Sequence, residues 1–210
     1  MIAIIDYDAG NIKSVEKAFQ YMGQEAVITR DADIILNADG VILPGVGAFG
    51  DAMGKLHFYG LVEVIHKCVE KKIPFLGICL GLQLLFESSE ESPGVEGLHI
   101  LDGKVLRLPS ETELKIPHIG WNDLKFPNKG RLYKGISENA YVYFVHSYYL
   151  QADDSNIVTA TTDYGAHIHA SVEKDNVFAC QFHPEKSSDI GMQILRNFIH
   201  LCFSSDFANG

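Results

Sequence analysis

Cys79 occupies the setting in which proteins make a nucleophile. It sits in Gly77-Ile78-Cys79-Leu80-Gly81-Leu82-Gln83, between an apolar run at 74–78 and an apolar stretch with helical periodicity at 80–88. A strand, a sharp turn and a helix, in that order, lift a side chain above a sheet edge. Gly77 and Gly81 remove side chains where strand and helix pass closest. Free N–H groups at a helix start favour a thiolate, the attacking species. A cysteine after a core strand is also commonly an inert, buried residue. The two flanking glycines favour chemistry.

Attack on an amide needs a group that takes up a proton and returns it to the leaving amine, and imidazole does both near neutral pH. Of nine histidines, His183 stands apart, because Gln181-Phe182-His183-Pro184-Glu185 directly follows the apolar stretch 177–182. Pro184 stiffens the turn. Glu185 can reach back to the ring and hold its tautomer and orientation. An acid there also suits the start of a final helix, and the two roles are compatible. His146, in Val145-His146-Ser147-Tyr148, reads on its own as a core-edge histidine satisfied by backbone. His118 and His169 give weaker signals. His167 and His169 alternate on a strand, but no Cys, Asp or Glu set completes a closed site. No metal and no cofactor is expected.

The oxyanion formed in such an attack is usually held by backbone N–H groups. Leu80 offers one. The turn Pro44-Gly45-Val46-Gly47, after the apolar stretch 40–43, offers the second through Val46 or Gly47. Ligands of open α/β sheets sit at the carboxyl ends of strands, so this loop and Cys79 should converge. The loop lacks the Lys and Ser/Thr of a P-loop and does not match a dinucleotide fingerprint, which argues against nucleotide binding.

An α/β framework must position these groups. Stretches 1–7, 26–29, 40–43 and 74–78 read as strands, with helices at 11–21, 56–71 and 80–88 between them. That alternation implies a largely parallel sheet covered on both faces. Further on, 98–108, 132–133, 141–150, 157–162, 167–173 and 177–182 read as strands without long helices between them. These imply antiparallel additions in the second half, before a closing helix at 191–201. No repeat or linker divides the chain, so 1–210 reads as one domain.

The 210 residues suffice for a sizeable core, and 47% are hydrophobic. The net charge of −10 argues against a nucleic-acid backbone as partner, without bearing on a small phosphorylated ligand. The first apolar stretch meets Asp6 and Asp8 at once, unlike a signal peptide. No apolar run reaches membrane-spanning length. Cys68, Cys79, Cys180 and Cys202 form no CxxC pair, and read as thiols in a reducing cytoplasm.

The segments around Cys79 and His183, the latter continuing to Lys186 and Ser187, strongly resemble the class I glutamine amidotransferases. That resemblance implies a flavodoxin-like three-layer fold, and a Cys79, His183, Glu185 triad that hydrolyses glutamine through a glutamyl thioester. Within the family, Tyr7-Asp8-Ala9-Gly10-Asn11, Pro44-Gly45-Val46-Gly47-Ala48-Phe49, Ile116-Pro117-His118-Ile119-Gly120-Trp121-Asn122 and Val145-His146-Ser147-Tyr148 are similar to the glutaminase subunits of imidazole glycerol phosphate synthases. The similarity runs from Ile4 to Phe198.

By that resemblance, Gln83, Glu91, His146, Ser147 and Tyr148 bind glutamine, and Asn11, His118, Trp121 and Asn122 serve the partner interface or gating. Trp121 has independent support, since a large aromatic in a polar turn can anchor a partner as readily as pack locally. The implied partner is a cyclase subunit with a (β/α)8-barrel fold, forming a heterodimer. Ammonia passes through it to make imidazole glycerol phosphate and aminoimidazole carboxamide ribonucleotide in histidine biosynthesis. The Val46 peptide is expected to turn toward the oxyanion only in the active state. Competing readings are a paralogous subunit feeding another synthase, a non-catalytic module on the same scaffold, and a cysteine peptidase.

Overall fold

Alternate residues of a strand point to opposite faces of its sheet, and in this protein both faces are covered. The computed structural model describes residues 1–110 and 114–204. Its first half alternates β1 (Ile2–Ile5), α1 (Ile12–Tyr21), β2 (Ala26–Thr29), α2 (Ala32–Leu36), β3 (Gly40–Leu43), α3 (Phe49–Phe58), α4 (Leu61–Glu70), β4 (Phe75–Ile78) and α5 (Leu80–Leu84). There follow β5 (Ser88–Ser89), β6 (Gly103–Arg107), β7 (His118–Asp123), β8 (Tyr141–His146), β9 (Tyr148–Ala152), β10 (Val158–Asp163), β11 (His167–Lys174), β12 (Val177–Cys180) and α6 (Ser188–Cys202).

Seven strands form the central sheet in the order β10-β11-β12-β4-β3-β1-β2. From β12 to β2 the pairs are parallel, while β10, β11 and β12 pair antiparallel. Ala3, Ile5, Val41, Leu43 and Phe75 face one core with α3 and α4. Ile2, Ile4, Ile42, Leu76 and Ile78 face a second core with α1 and α6. The result is the three-layer, flavodoxin-like arrangement, with its antiparallel additions in the second half. A small sheet, β5-β6-β9, and the β7-β8 pair flank the main sheet. Among the described residues, no helix is long and apolar enough to cross a membrane.

Several elements differ from expectation. The helix expected over 56–71 is two, because Gly60 takes a left-handed φ of 67° between α3 and α4. α5 stops at Leu84, since the Leu84 and Leu85 carbonyls accept from Leu98, Ile100 and Leu101 instead of continuing the helix. Those N–H groups are therefore unavailable to a strand, which begins only at Gly103. Stretch 132–133 is part of a 3₁₀ turn. The run 141–150 breaks at Ser147, and its halves join different sheets.

Candidate active site

β4 lies between β3 and β12, parallel to both. Residues just beyond the three carboxyl ends therefore meet: Cys79, the 44–47 loop and His183. Cys79 holds φ 55° and ψ −107°. Such a backbone costs a non-glycine residue about 1–3 kcal/mol. Its N–H donates to the Cys180 carbonyl at 2.8 Å, pinning the elbow to β12. Glycine is needed at position 81, where a Cβ would lie 1.8 Å from the Leu43 carbonyl oxygen.

Pro184 opens a 3₁₀ turn over Pro184–Lys186 that folds Glu185 back under the imidazole. His183 Nδ1 donates to Glu185 Oε1 at 2.8 Å. The carboxylate is fully buried and α6 starts only at Ser188, so Glu185 serves the ring and not the helix. The same Oε1 accepts from Asn11 Nδ2 at 2.6 Å. With Nδ1 on Glu185, Nε2 is the nitrogen left for the thiol. Burial alone would make His183 harder to protonate, but Cys79 and Glu185 outweigh it and raise its pKa to about 9. The site thus stabilises an imidazolium between two acidic groups.

Leu80 N–H, one expected oxyanion donor, is already engaged with the Gly45 carbonyl at 3.3 Å. That carbonyl and the Val46 N–H belong to one trans peptide, so they point opposite ways. In this conformation Val46 N–H is directed away from Leu80. Tyr7 Oη donates to the Pro44 carbonyl at 2.7 Å and props the loop from beneath. Gly47 has a φ of 108°, which favours glycine.

A cavity of about 310 Å³ opens above Cys79, lined by Val46, Gly47, Leu80, Gln83, Glu91, Pro117, Val145, His146, Ser147 and Tyr148. Every residue expected to bind glutamine is on its wall. Gln83 Nε2 donates to the Tyr148 carbonyl at 3.0 Å and to Gln181 Oε1 at 3.1 Å. Glu91 Oε2 accepts from the Phe49 N–H at 2.8 Å.

His146 is more than a backbone-satisfied histidine. Its Nδ1 donates to the Tyr148 carbonyl at 2.9 Å, and its Nε2 accepts from His118 Nδ1 at 3.0 Å. Both rings are held neutral: burial lowers His146 to about 3 and His118 to about 4. His118 is stacked between Phe144 and Tyr164. It lies behind the pocket and not on the surface. Trp121 is 52% exposed on β7 beside exposed Ile119, so it sits in a strand and not in the expected polar turn. Asn122 Nδ2 donates to the Asp163 carbonyl at 3.1 Å. Among the described residues, no cluster of three or more His, Cys, Asp or Glu could hold a metal ion.

The family description "Glutamine amidotransferase class-I" matches residues 3–202. The chain belongs to the class I glutamine amidotransferase family. It is similar to "Imidazole glycerol phosphate synthase subunit HisH" of Moorella thermoacetica, at 51% identity over 94% of this chain and 93% of that protein. The Caldanaerobacter subterraneus protein of the same description is 53% identical over 94% of this chain and 97% of that one. The fold is shared with a crystal structure of a glutamine amidotransferase, at TM-score 0.75 and 20% identity, covering 97% of this chain and 100% of that one. The glutaminase domain of Trypanosoma brucei CTPS with bound acivicin has TM-score 0.69 at 19% identity, covering 96% of this chain and 92% of that one.

This amidotransferase therefore has an enzyme's fold and lineage, with a buried imidazole–carboxylate pair brought beside a cysteine that lines a cavity. The sequence reading missed Gln181. Its fully buried carboxamide reaches the Cys79 sulfur at 3.7 Å. The signal was its place two residues before His183.

Proposed function

We propose that this chain is the glutaminase subunit of an imidazole glycerol phosphate synthase. The observation that carries the chemistry is the buried His183–Glu185 pair beside Cys79, which itself lines an amino-acid-sized cavity. The relatives named above support the choice of synthase. His183 Nε2 takes the Cys79 proton, and the thiolate attacks the carboxamide carbon of glutamine. The tetrahedral oxyanion collapses, the C–N bond breaks and His183 protonates the departing ammonia. His183 then deprotonates a water that hydrolyses the thioester, releasing glutamate and restoring the thiol.

Gln83, Glu91, His146, Ser147 and Tyr148 hold glutamine. Both Gln83 N–H bonds are committed within the protein, which leaves its carbonyl oxygen as an acceptor for the substrate. The glutaminase domain, 1–210, pairs in a heterodimer with a (β/α)8-barrel cyclase, and Trp121 is its exposed anchor. Asn11 links the partner side to Glu185. Ammonia crosses into the cyclase, which yields imidazole glycerol phosphate and aminoimidazole carboxamide ribonucleotide. Rotation of the Gly45–Val46 peptide, driven by partner and ligand, frees Leu80 N–H and turns Val46 N–H inward. The Leu80–Gly45 hydrogen bond supports this resting state.

Glutamate and ammonia formation should be measured from glutamine, with the candidate cyclase and its nucleotide ligand added or omitted. A strong rise with both, abolished in Cys79→Ala, is the expected result. No rise with an active cyclase would point instead to another acceptor synthase or to a non-catalytic role.

A further inference from the structure

His183 takes the Cys79 proton and faces the sulfur as a cation. The thiolate also needs a neutral donor that holds it in place, and the start of α5 is a poor one. That helix spans Leu80–Leu84 only, so its macrodipole is small, and Leu80 N–H is spent on the Gly45 carbonyl. The Val145 carbonyl, 3.9 Å from Sγ, is an acceptor and favours the protonated thiol. Gln181 offers the opposite. Its Nε2 lies 3.7 Å from Sγ, within hydrogen-bond range for sulfur, and the residue is fully buried.

The orientation of this carboxamide is set from its other end. Gln181 Oε1 accepts from Gln83 Nε2 at 3.1 Å, so its nitrogen must face the sulfur. Gln83 is itself held by the Tyr148 carbonyl, which also accepts from His146 Nδ1. The backbone at Gln181 is anchored by its N–H on the Ala170 carbonyl at 2.8 Å. A buried amide with both ends committed cannot swing away from the thiol without leaving polar groups unpaired.

We propose that Gln181 is a further catalytic residue: its carboxamide N–H donates to the Cys79 sulfur and stabilises the thiolate before attack. The inference rests on Cys79 being the nucleophile proposed above. The bond acts on the ground-state thiolate and weakens as sulfur becomes a thioester. It therefore raises the thiolate population and slightly lowers the reactivity of each thiolate, with a Brønsted slope of about 0.4–0.5 for thiol nucleophiles. A purely structural residue would not show this trade.

The test is alkylation of Cys79 by iodoacetamide across pH, read by peptide mass spectrometry on the full chain, for wild type, Gln181→Met and Gln181→Glu. Methionine keeps the volume and removes the donor. Glutamate keeps an acceptor for Gln83 and puts a carboxylate beside the sulfur. The expected result is a profile midpoint moved upward by about one pH unit in Gln181→Met, and further in Gln181→Glu. For Gln181→Met, labelling below the midpoint falls about three-fold and the plateau above it rises about three-fold, so the curves cross. Glutaminase kcat should fall in both variants, with KM nearly unchanged in Gln181→Glu, which keeps the acceptor that holds Gln83. Profiles that coincide with wild type, or are slowed equally at every pH in whichever variant folds, overturn the role of Gln181. The Cys79→Ala chain separates the two claims. If the wild-type adduct does not map to Cys79, the nucleophile assignment falls and the Gln181 role falls with it. If it does map there and the profiles do not move, only the latter falls.

Discussion

The amide of Leu80 donates to the carbonyl of Gly45, at 3.3 Å. An oxyanion would compete for that same N–H. The loss of a single oxyanion donor typically costs about 10²–10³ in kcat. Binding of the cyclase and its nucleotide ligand is therefore expected to raise glutamine turnover by at least about 10². Steady-state glutaminase assays of the isolated chain and the loaded complex check this, and equal rates would mean that the resting peptide is no barrier.

Glu185 accepts from both His183 and Asn11 through Oε1. Glu185→Gln offers an amide where the imidazole N–H needs an anion, and is expected to lower kcat by about 10²–10⁴, as for the orienting acid of other triads. Asn11→Ala removes only the second bond. Its expected loss is smaller, about ten-fold, from a less firmly held carboxylate. A single-turnover assay of thioester formation distinguishes the two variants.

His118 and His146 are neutral in the fold, with pKa values lowered to about 4 and about 3 by burial. Each folded value lies below the ordinary one near 6.5, so the unfolded chain binds more protons below that pH. Their contribution is fully present above about pH 6.5 and is lost as pH falls toward 4 and then 3. Two protons give a steepest loss of roughly 3 kcal/mol per pH unit. Urea unfolding between pH 7 and about 4 should show it, and His118→Gln should make the slope shallower.

His183 works in the other direction. Its folded value, raised to about 9, means that the native state holds a proton the unfolded chain releases near pH 6.5. That stabilisation is complete below about pH 6.5 and disappears as pH rises through 9. His183→Gln should flatten the alkaline loss of stability, measured as Tm against pH, while abolishing glutaminase activity.

Trp121 is 52% exposed and touches Tyr143 edge-on. Trp121→Ala should shift stability by less than about 1 kcal/mol, because little burial is lost. Cyclase affinity should fall by about 2 kcal/mol or more, as for an interface anchor. Calorimetric titration with the cyclase and a parallel melt separate the two effects.

Some of the fold was legible because the local signal was strong. The four-residue apolar strands β1, β3 and β4 are buried on both faces, so the chain has no choice but to write them as continuous apolar runs. α3 was missed in its first part because Gly50 and Gly54 weaken its helical signal. The apolar run across β8 and β9 carries no local mark at Ser147, where it passes from one sheet to another. Only the competing partners, β7 on one side and β6 on the other, decide that break.

The sequence by itself determined the strand-turn-helix elbow that carries Cys79, its glycine frame, the His-Pro-Glu turn and the parallel core, since each depends on neighbours within a few residues. Tertiary structure alone decided where His118 is buried, which donor reaches the Cys79 sulfur, and which way the Gly45–Val46 peptide points. Those outcomes are set by hydrogen bonds between segments distant in the chain. A peptide plane can turn over with little change in its neighbours' side chains, so residue types alone do not record its orientation.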